Sequence, residues 1–393
     1  MGKKIKVGIL FGGKSAEHEV SLQSAKNVYD AIDRAKYEPV LIGIDKSGRW
    51  LLNEDSEFLL DADDPKHIRL NPSSGAVALV PQSRGAIANL SNTRQVDSSA
   101  AGKNSRASPW EASIDVVFPI LHGPFGEDGT VQGLLKLADI PFVGAGVLAS
   151  AAGMDKDVMK RLFRDAGLPI GKFLTIHAGE KFPAYEEVCA ELGSPLFIKP
   201  ANMGSSVGVS KVHSRDEYLQ CLKAAFEYDT KVIMEEFIQG RELECSVLGS
   251  HFAAPGEEGE IKASAVGEVK PRHEFYSYDA KYIDEHGAEL VIPADIPPVI
   301  AGQARELAVK VFKTLCCEGL GRVDFFLKAP ASEGGEGKII VNEINTMPGF
   351  TRISMYPKLW EASGISYTSL IDRLIELALL RYEKEKGIKT DRD

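Results

Sequence analysis

Aliphatic runs punctuated by glycine pairs constrain the fold of this chain before any single residue suggests a chemistry. Ile5 to Phe11 is a run of strand length, apolar but for Lys6 near its start, Gly12-Gly13 turn the chain, and residues 16–32 carry a helical pattern. Val40-Leu-Ile-Gly-Ile44 opens a second apolar run, and Ile114-Asp-Val-Val-Phe-Pro-Ile-Leu121 a third. A strand that is apolar on both faces is buried on both, which is the habit of parallel sheets covered by helices. The expected N-terminal architecture is therefore α/β, an open parallel sheet. Between these runs, over residues 55–112, the rhythm lapses, and Ser, Asn, Gly and Ala dominate from Asn71 to Ser108. That stretch reads as a surface insertion with partial order.

At 393 residues the chain is long for one core, so more than one domain is expected. The reading is 1–150 for the α/β unit, 151–238 for a central unit and 239–393 for a third. In the central unit a helix runs from Met154-Asp-Lys156 to Ala166-Gly167. Strands follow at Leu196-Phe-Ile-Lys199 and Lys231-Val-Ile-Met-Glu235, with a helix near 216–228 between them. The third unit has long strands from Glu242, a mobile-looking segment from about Pro271 to Ile292, a helix at 301–316 and a closing helix at 366–384.

Composition narrows the function classes. Lys plus Arg number 46 against 56 Asp plus Glu, a formal charge of −10, and no long basic run offsets it. That balance argues against a general nucleic-acid or membrane-surface role. No apolar segment approaches the length of a membrane span, and Lys14, Glu17 and His18 follow the first apolar run too soon for a signal peptide. Cys189, Cys221, Cys245, Cys316 and Cys317 form neither a Cys-x-x-Cys pair nor a zinc spacing. Such a scattered, odd set suits a reducing cytoplasm.

Three stretches carry chemistry. The first is a decoy: Gly8-Ile-Leu-Phe-Gly12-Gly13-Lys14-Ser15 matches the phosphate-loop pattern G-x-x-x-x-G-K-[ST]. That pattern works only when its variable residues form a loop whose amides wrap phosphate, whereas Ile, Leu and Phe here continue a strand. The second is Phe197-Ile-Lys199-Pro-Ala-Asn-Met-Gly204-Ser205-Ser206-Val-Gly208-Val, a strand that delivers a lysine into a donor-rich glycine and serine loop. Such a loop can fold over β- and γ-phosphates, with Lys156 as a second cation. Beyond it, Glu235, Glu236 and Glu242 suit ribose hydroxyls or an adenine amino group, or simply a solvated strand end. The third is Arg322-Val-Asp324 followed by Glu343-Ile-Asn345, where the period of two puts each pair on one face of its strand. Two carboxylates and a carboxamide offer hard oxygens to Mg²⁺, which binds protein carboxylates together with substrate phosphates. Taken alone, the alternation equally describes the wet face of a half-buried strand.

The order of these parts resembles the ATP-grasp ligases, and within them the D-alanine–D-alanine ligases. The resemblance covers nearly the whole chain apart from 55–112. It rests on Gly12-Gly13-Lys-Ser-Ala-Glu17-His-Glu-Val-Ser21, His122-Gly-x-x-Gly-Glu-Asp-Gly129, Met154-Asp-Lys156 and Lys199-Pro with Gly204-Ser205-Ser206-Val-Gly208. Tyr278-Asp-Ala-Lys281-Tyr282, Gly321-Arg322-Val-Asp324 and Asn342-Glu343-Ile-Asn345-Thr-Met-Pro348-Gly349 complete it.

What the resemblance implies is a three-domain ATP-grasp fold, α+β in its ATP-binding part. ATP would lie between the central and C-terminal domains, held by Lys156, Lys199, Ser205, Ser206, Glu235, Glu236, Glu242 and Lys281. Two Mg²⁺, or Mn²⁺ in their place, would bridge its phosphates through Asp324, Glu343 and Asn345. One D-alanine carboxylate would attack the γ-phosphate to give an acyl phosphate, and the amine of a second would displace phosphate to leave a dipeptide for peptidoglycan. Arg322 would stabilise the developing oxyanion. Glu17, linked to Ser205 and Tyr282, would receive the first ammonium, with His122 nearby; Gly349 and Ser354 would hold the second carboxylate. The segment around Lys281-Tyr282 would be a lid that excludes water, and its tyrosine favours the dipeptide over a D-lactate ester; a different acceptor, D-lactate or D-serine, is the alternative. Met347 departs from the small hydroxyl residue usual there and would slightly alter the second-substrate pocket. A homodimer is the implied assembly.

Overall fold

The structure is a computed structural model that describes residues 3–53, 58–62, 64, 67–71, 75–90, 110–271, 288–329 and 337–389. The first strand, Ile5–Gly12, lies between Tyr37–Ile44 and Val116–Ile120 and is parallel to both. Residues Gly8 to Phe11 are inside this strand, so the phosphate-loop match is a strand, as its apolar residues require. Gly12 ends it at φ 91, and a Cβ there would stand 2.2 Å from the Ile44 carbonyl oxygen. Only glycine tolerates that turn.

The sheet is not purely parallel. It has seven strands, and Trp50–Asn53, Gly75–Leu79, Ala86–Asn89 and Trp110–Ser113 extend it beyond Tyr37–Ile44 in antiparallel steps. The stretch read as a surface insertion therefore supplies strands to the main sheet. Val77, Leu79 and Ile87 point into its core while small or polar residues alternate with them. The period of two was present, but alanine and glycine carried half of it.

The central unit is an antiparallel sheet ordered Phe173–His177, Lys231–Glu236, Leu196–Pro200, Ser210–Val212. It packs on the helices Tyr185–Leu192 and Arg215–Ala225 around Ile176, Leu196, Ile198, Tyr218 and Val232. The third sheet, also antiparallel, is ordered Ala288–Val291, Lys262–Pro271, Gly240–Gly249, Gly319–Lys328, Lys338–Asn345, with the helix Pro298–Thr314 across one face.

Two features blur simple boundaries. Residues 150 and 151 lie inside the helix Val147–Met154, which abuts Lys156–Asp165. The last helix, Tyr367–Lys386, buries Leu370, Ile371, Leu374 and Ile375 in one cluster with Val7, Ile9, Phe11 and Phe118 of the first unit. Arg381 pins it there, donating to the carbonyls of Gly144 at 2.5 Å and Phe142 at 2.7 Å. Lys36 meets Asp372 at 2.6 Å on the same seam. Among the described residues no helix is long and apolar enough to cross a membrane.

Candidate active site

Glu17 precedes the helix His18–Ala31, is 7% exposed, and makes no capping bond to that helix. Its carboxylate instead accepts from the hydroxyl of Ser205, which belongs to the loop of the central unit. The backbone closes tightly around it: a Cβ on Gly123 or Gly204 would lie 3.1 or 3.2 Å from Glu17 Oε2. Thus three distant segments enclose one acid at the positive end of a helix dipole. Tyr282 and Lys281 lie outside the described residues.

His122 is buried beside this acid. Its Nδ1 lies 3.2 Å from the Met347 carbonyl, an acceptor, so Nδ1 carries the proton and Nε2 presents a lone pair. Burial pushes its pKa down, which the charge of Glu17 only partly offsets. Met347 itself is buried in the first unit's core, and its sulfur accepts from the Leu121 amide at 3.3 Å. Met347 thereby seats the start of the loop that carries His122.

The strands Gly319–Lys328 and Lys338–Asn345 bring the third motif together. Arg322 pairs with Asn345 and Asp324 with Glu343 across the ladder, so all four side chains share one face. Arg322 grips Asp324 with two bonds of 2.7 Å, and Asn345 Nδ2 donates to Asp324 Oδ2 at 3.0 Å. Glu244, opposite Asp324 on the strand Gly240–Gly249, joins this face with Oε2 2.9 Å from Arg322 Nε.

Mg²⁺ fits this donor set by chemistry, since Asp324, Glu343 and the Asn345 carboxamide are hard oxygen donors. Among the described residues no three His, Cys, Asp or Glu side chains are gathered at ligand spacing. The set holds only two carboxylates, its third donor being the Asn345 carboxamide, and the Asp324 oxygens already accept from Arg322 and Asn345, so an ion must share them.

Facing the sheet is a lysine cluster. Lys156, at the start of the helix Lys156–Asp165, donates to the Met203 carbonyl at 2.6 Å and so ties that helix to the loop. Burial lowers its pKa, with Glu343 pulling the other way. Lys199 is partly buried, which would lower its pKa, yet Glu235 and Glu343 raise it overall. In the loop, Ser205 and Ser206 take φ values of 50 and 61, left-handed conformations rare for serine. Such turns present amides on one side, the arrangement that receives anions.

Glu235 is enclosed between Lys160, at 2.8 Å, and Lys199. Burial would raise its pKa, but the two lysines hold it at about 2. It orders the cations more directly than it offers an acceptor to a ribose. Glu236 turns away, accepting from the Lys172 amide at 2.7 Å, whereas Glu242 faces the cluster and acts on Lys199. Ser354 begins the helix Met355–Ala362 and bonds Thr351 Oγ1 at 2.7 Å; a Cβ on Gly349 would sit 3.1 Å from its hydroxyl. Gly349 and Ser354 therefore stand side by side at a helix N-terminus.

Lys160, Glu127 and Glu244 escaped the sequence reading. Lys160 lies one helical turn after Lys156 and Glu244 one strand period after Glu242, so periodicity held a signal for both. Glu127 accepts from the Gly123 amide at 2.6 Å, and burial with the nearby charge of Glu17 raises its pKa to about 8.

Comparison with known proteins shows the family of the chain. Residues 6–145 match the family model described as D-ala D-ala ligase N-terminus, and residues 162–376 that described as D-ala D-ala ligase C-terminus. The chain is 51% identical over 389 residues to D-alanine–D-alanine ligase A of Escherichia coli K12, covering 99% of each. It is likewise 51% identical over 397 residues to the D-alanine–D-alanine ligase of Shouchella clausii, covering 99% of this chain and 98% of that one. The structure of the D-alanine-D-alanine ligase from Coxiella burnetii superposes with a TM-score of 0.78 at 35% identity, covering 98% of this chain and 97% of that one. The VanG D-Ala:D-Ser ligase from Enterococcus faecalis follows at 0.77 and 35%, covering 96% and 100%.

Proposed function

We propose that this chain, which belongs to the D-alanine–D-alanine ligase family, joins two D-alanines to D-alanyl-D-alanine with ATP as the energy source. The reaction has two steps. A carboxylate oxygen of the first D-alanine attacks the γ-phosphorus of ATP; the bond to the bridging oxygen breaks, and ADP leaves. The amine of the second D-alanine, having lost a proton, then attacks the acyl-phosphate carbonyl, and the tetrahedral adduct expels inorganic phosphate.

The residues take roles that their surroundings support. Glu17 receives the first ammonium, and Ser205 holds that carboxylate in place. Lys156, Lys199 and the amides of the 201–209 loop neutralise the phosphates, while Glu235 keeps Lys160 and Lys199 in register. Glu242 takes the ribose. Arg322 faces the carbonyl oxygen as negative charge develops there, a task for a preorganised cation. Gly349 and Ser354 hold the second carboxylate, and the neutral His122, with Nε2 as acceptor, stands near the first substrate. Two Mg²⁺ held by Asp324, Glu343 and Asn345 would supply charge neutralisation on the phosphates. Lys281 and Tyr282 complete the set as lid residues.

The observation that carries this reading is the Glu17–Ser205 bond. A buried acid bonded to the donor-rich 201–209 loop supports a site for an ammonium beside a phosphate, which a plain nucleotide-binding protein does not need. We further propose the units 1–150, 151–238 and 239–393, a homodimer, and work in the cytoplasm, where the five free cysteines described stay reduced.

Phosphate release with ATP, Mg²⁺ and D-alanine, with products weighed by mass spectrometry, tests the proposal. The dipeptide mass is expected with D-alanine alone and remains dominant when D-lactate or D-serine is added. A preferred mixed product would overturn the acceptor assignment, and no product at all would overturn the activity.

A further inference from the structure

We infer that Glu244 is a positioning residue that keeps Arg322 in place when Asp324 turns to a metal ion, an inference that rests on the metal role proposed above. The strand Gly240–Gly249 lies directly beside Gly319–Lys328, with Glu244 opposite Asp324 and Ser246 opposite Arg322. Arg322 Nε stands 2.7 Å from Asp324 Oδ1 and 2.9 Å from Glu244 Oε2, so it is shared between acids on two strands. The Arg322 and Glu244 side chains are only 20% and 13% exposed, well short of a solvated surface pair.

The two acids have unequal duties. Both Asp324 oxygens accept from Arg322, and one also accepts from Asn345. A cation bound at Asp324 withdraws electron density from the oxygens that anchor the guanidinium. Glu244 stands outside the expected ligand set, so the ion does not draw on the carboxylate oxygen that lies 2.9 Å from Arg322 Nε. With an uncharged side chain at 244, Arg322 and the ion would compete for one carboxylate. The ion would bind less tightly, and once bound it would leave the arginine less well placed.

The test is Glu244→Gln, which keeps shape and removes charge, with Glu244→Asp as the conservative variant. Mn²⁺ binding in the presence of ADP, read by electron paramagnetic resonance of the free ion, needs no turnover. About tenfold weaker Mn²⁺ binding is expected for Glu244→Gln, with partial recovery in Glu244→Asp. In turnover, kcat should fall about 10- to 100-fold with little change in KM for ATP, and saturating Mg²⁺ should not restore it.

An Arg322→Gln background guards against a folding defect, because with no cation there to compete for Asp324 the Glu244→Gln effect on Mn²⁺ binding should largely vanish. Unchanged Mn²⁺ affinity in Glu244→Gln, or an equal loss in both backgrounds, would overturn the inference. Wild-type protein that binds Mn²⁺ with ADP but joins no D-alanine would sink the assigned reaction instead, leaving the Mn²⁺ comparison to decide the role of Glu244.

Discussion

Glu127 shows how far a single side chain can depart from what its letter suggests. Burial and the neighbouring Glu17 raise its pKa to about 8, against the pull of the Gly123 amide, Arg322 and Lys156. Folding therefore favours its protonated form. A raised carboxyl stabilises the fold fully below its unfolded value of 4.5, and that contribution is lost as pH rises through about 8. Melting temperature followed from pH 4.5 to 9 should fall more steeply for the wild type than for Glu127→Gln; parallel curves would refute the assignment. The motif around Glu127 was legible in the sequence, but its protonation state was not. That state depends on charges from Glu17, Lys156 and Arg322, which only the tertiary fold brings near. Glu236 was named as a candidate ATP contact, and only the fold shows that its carboxylate accepts from the Lys172 amide.

At the scale of elements, buried strands and long helices were readable because their apolar residues recur at one period. Ile5–Gly12, Leu196–Pro200 and Lys231–Glu236 lie where the apolar runs placed them. Gly75–Leu79 and Ala86–Asn89 were missed because alanine and glycine occupy half their positions, and their pairing with Trp50–Asn53 and Trp110–Ser113 stabilises what their own residues specify weakly. The helix Tyr367–Lys386 was foreseen as a closing element, but not its allegiance to the first unit's core. Leu374, fully buried in that core, gives a test. Leu374→Ala should cost about 2–5 kcal/mol, read by thermal unfolding, and should raise amide exchange in the strand Ile5–Gly12. Exchange confined to the last helix would contradict the shared core.

For the whole molecule, the site exists only at a meeting of units: Glu17 and His122 from the first, Lys156, Lys199 and Ser205 from the centre, Arg322, Asp324 and Glu343 from the third. Sequence order could name these residues, since each sits in its own short motif. The resemblance already implied the Glu17–Ser205 link, but nothing in the sequence showed that Lys160 shares Glu235 with Lys199, or that Glu244 pairs with Arg322. Those pairings are long-range, and they set the charge balance in which a carboxylate can approach a triphosphate. The central claim is that a D-alanine carboxylate attacks the γ-phosphate here before a peptide bond forms. D-alanine labelled with ¹⁸O in its carboxylate, turned over with ATP and Mg²⁺, tests it through the ³¹P resonance of the released phosphate. One labelled oxygen per phosphate, with the dipeptide as co-product, is the expected result. Dipeptide formed with unlabelled phosphate would contradict the acyl-phosphate route and the roles derived from it.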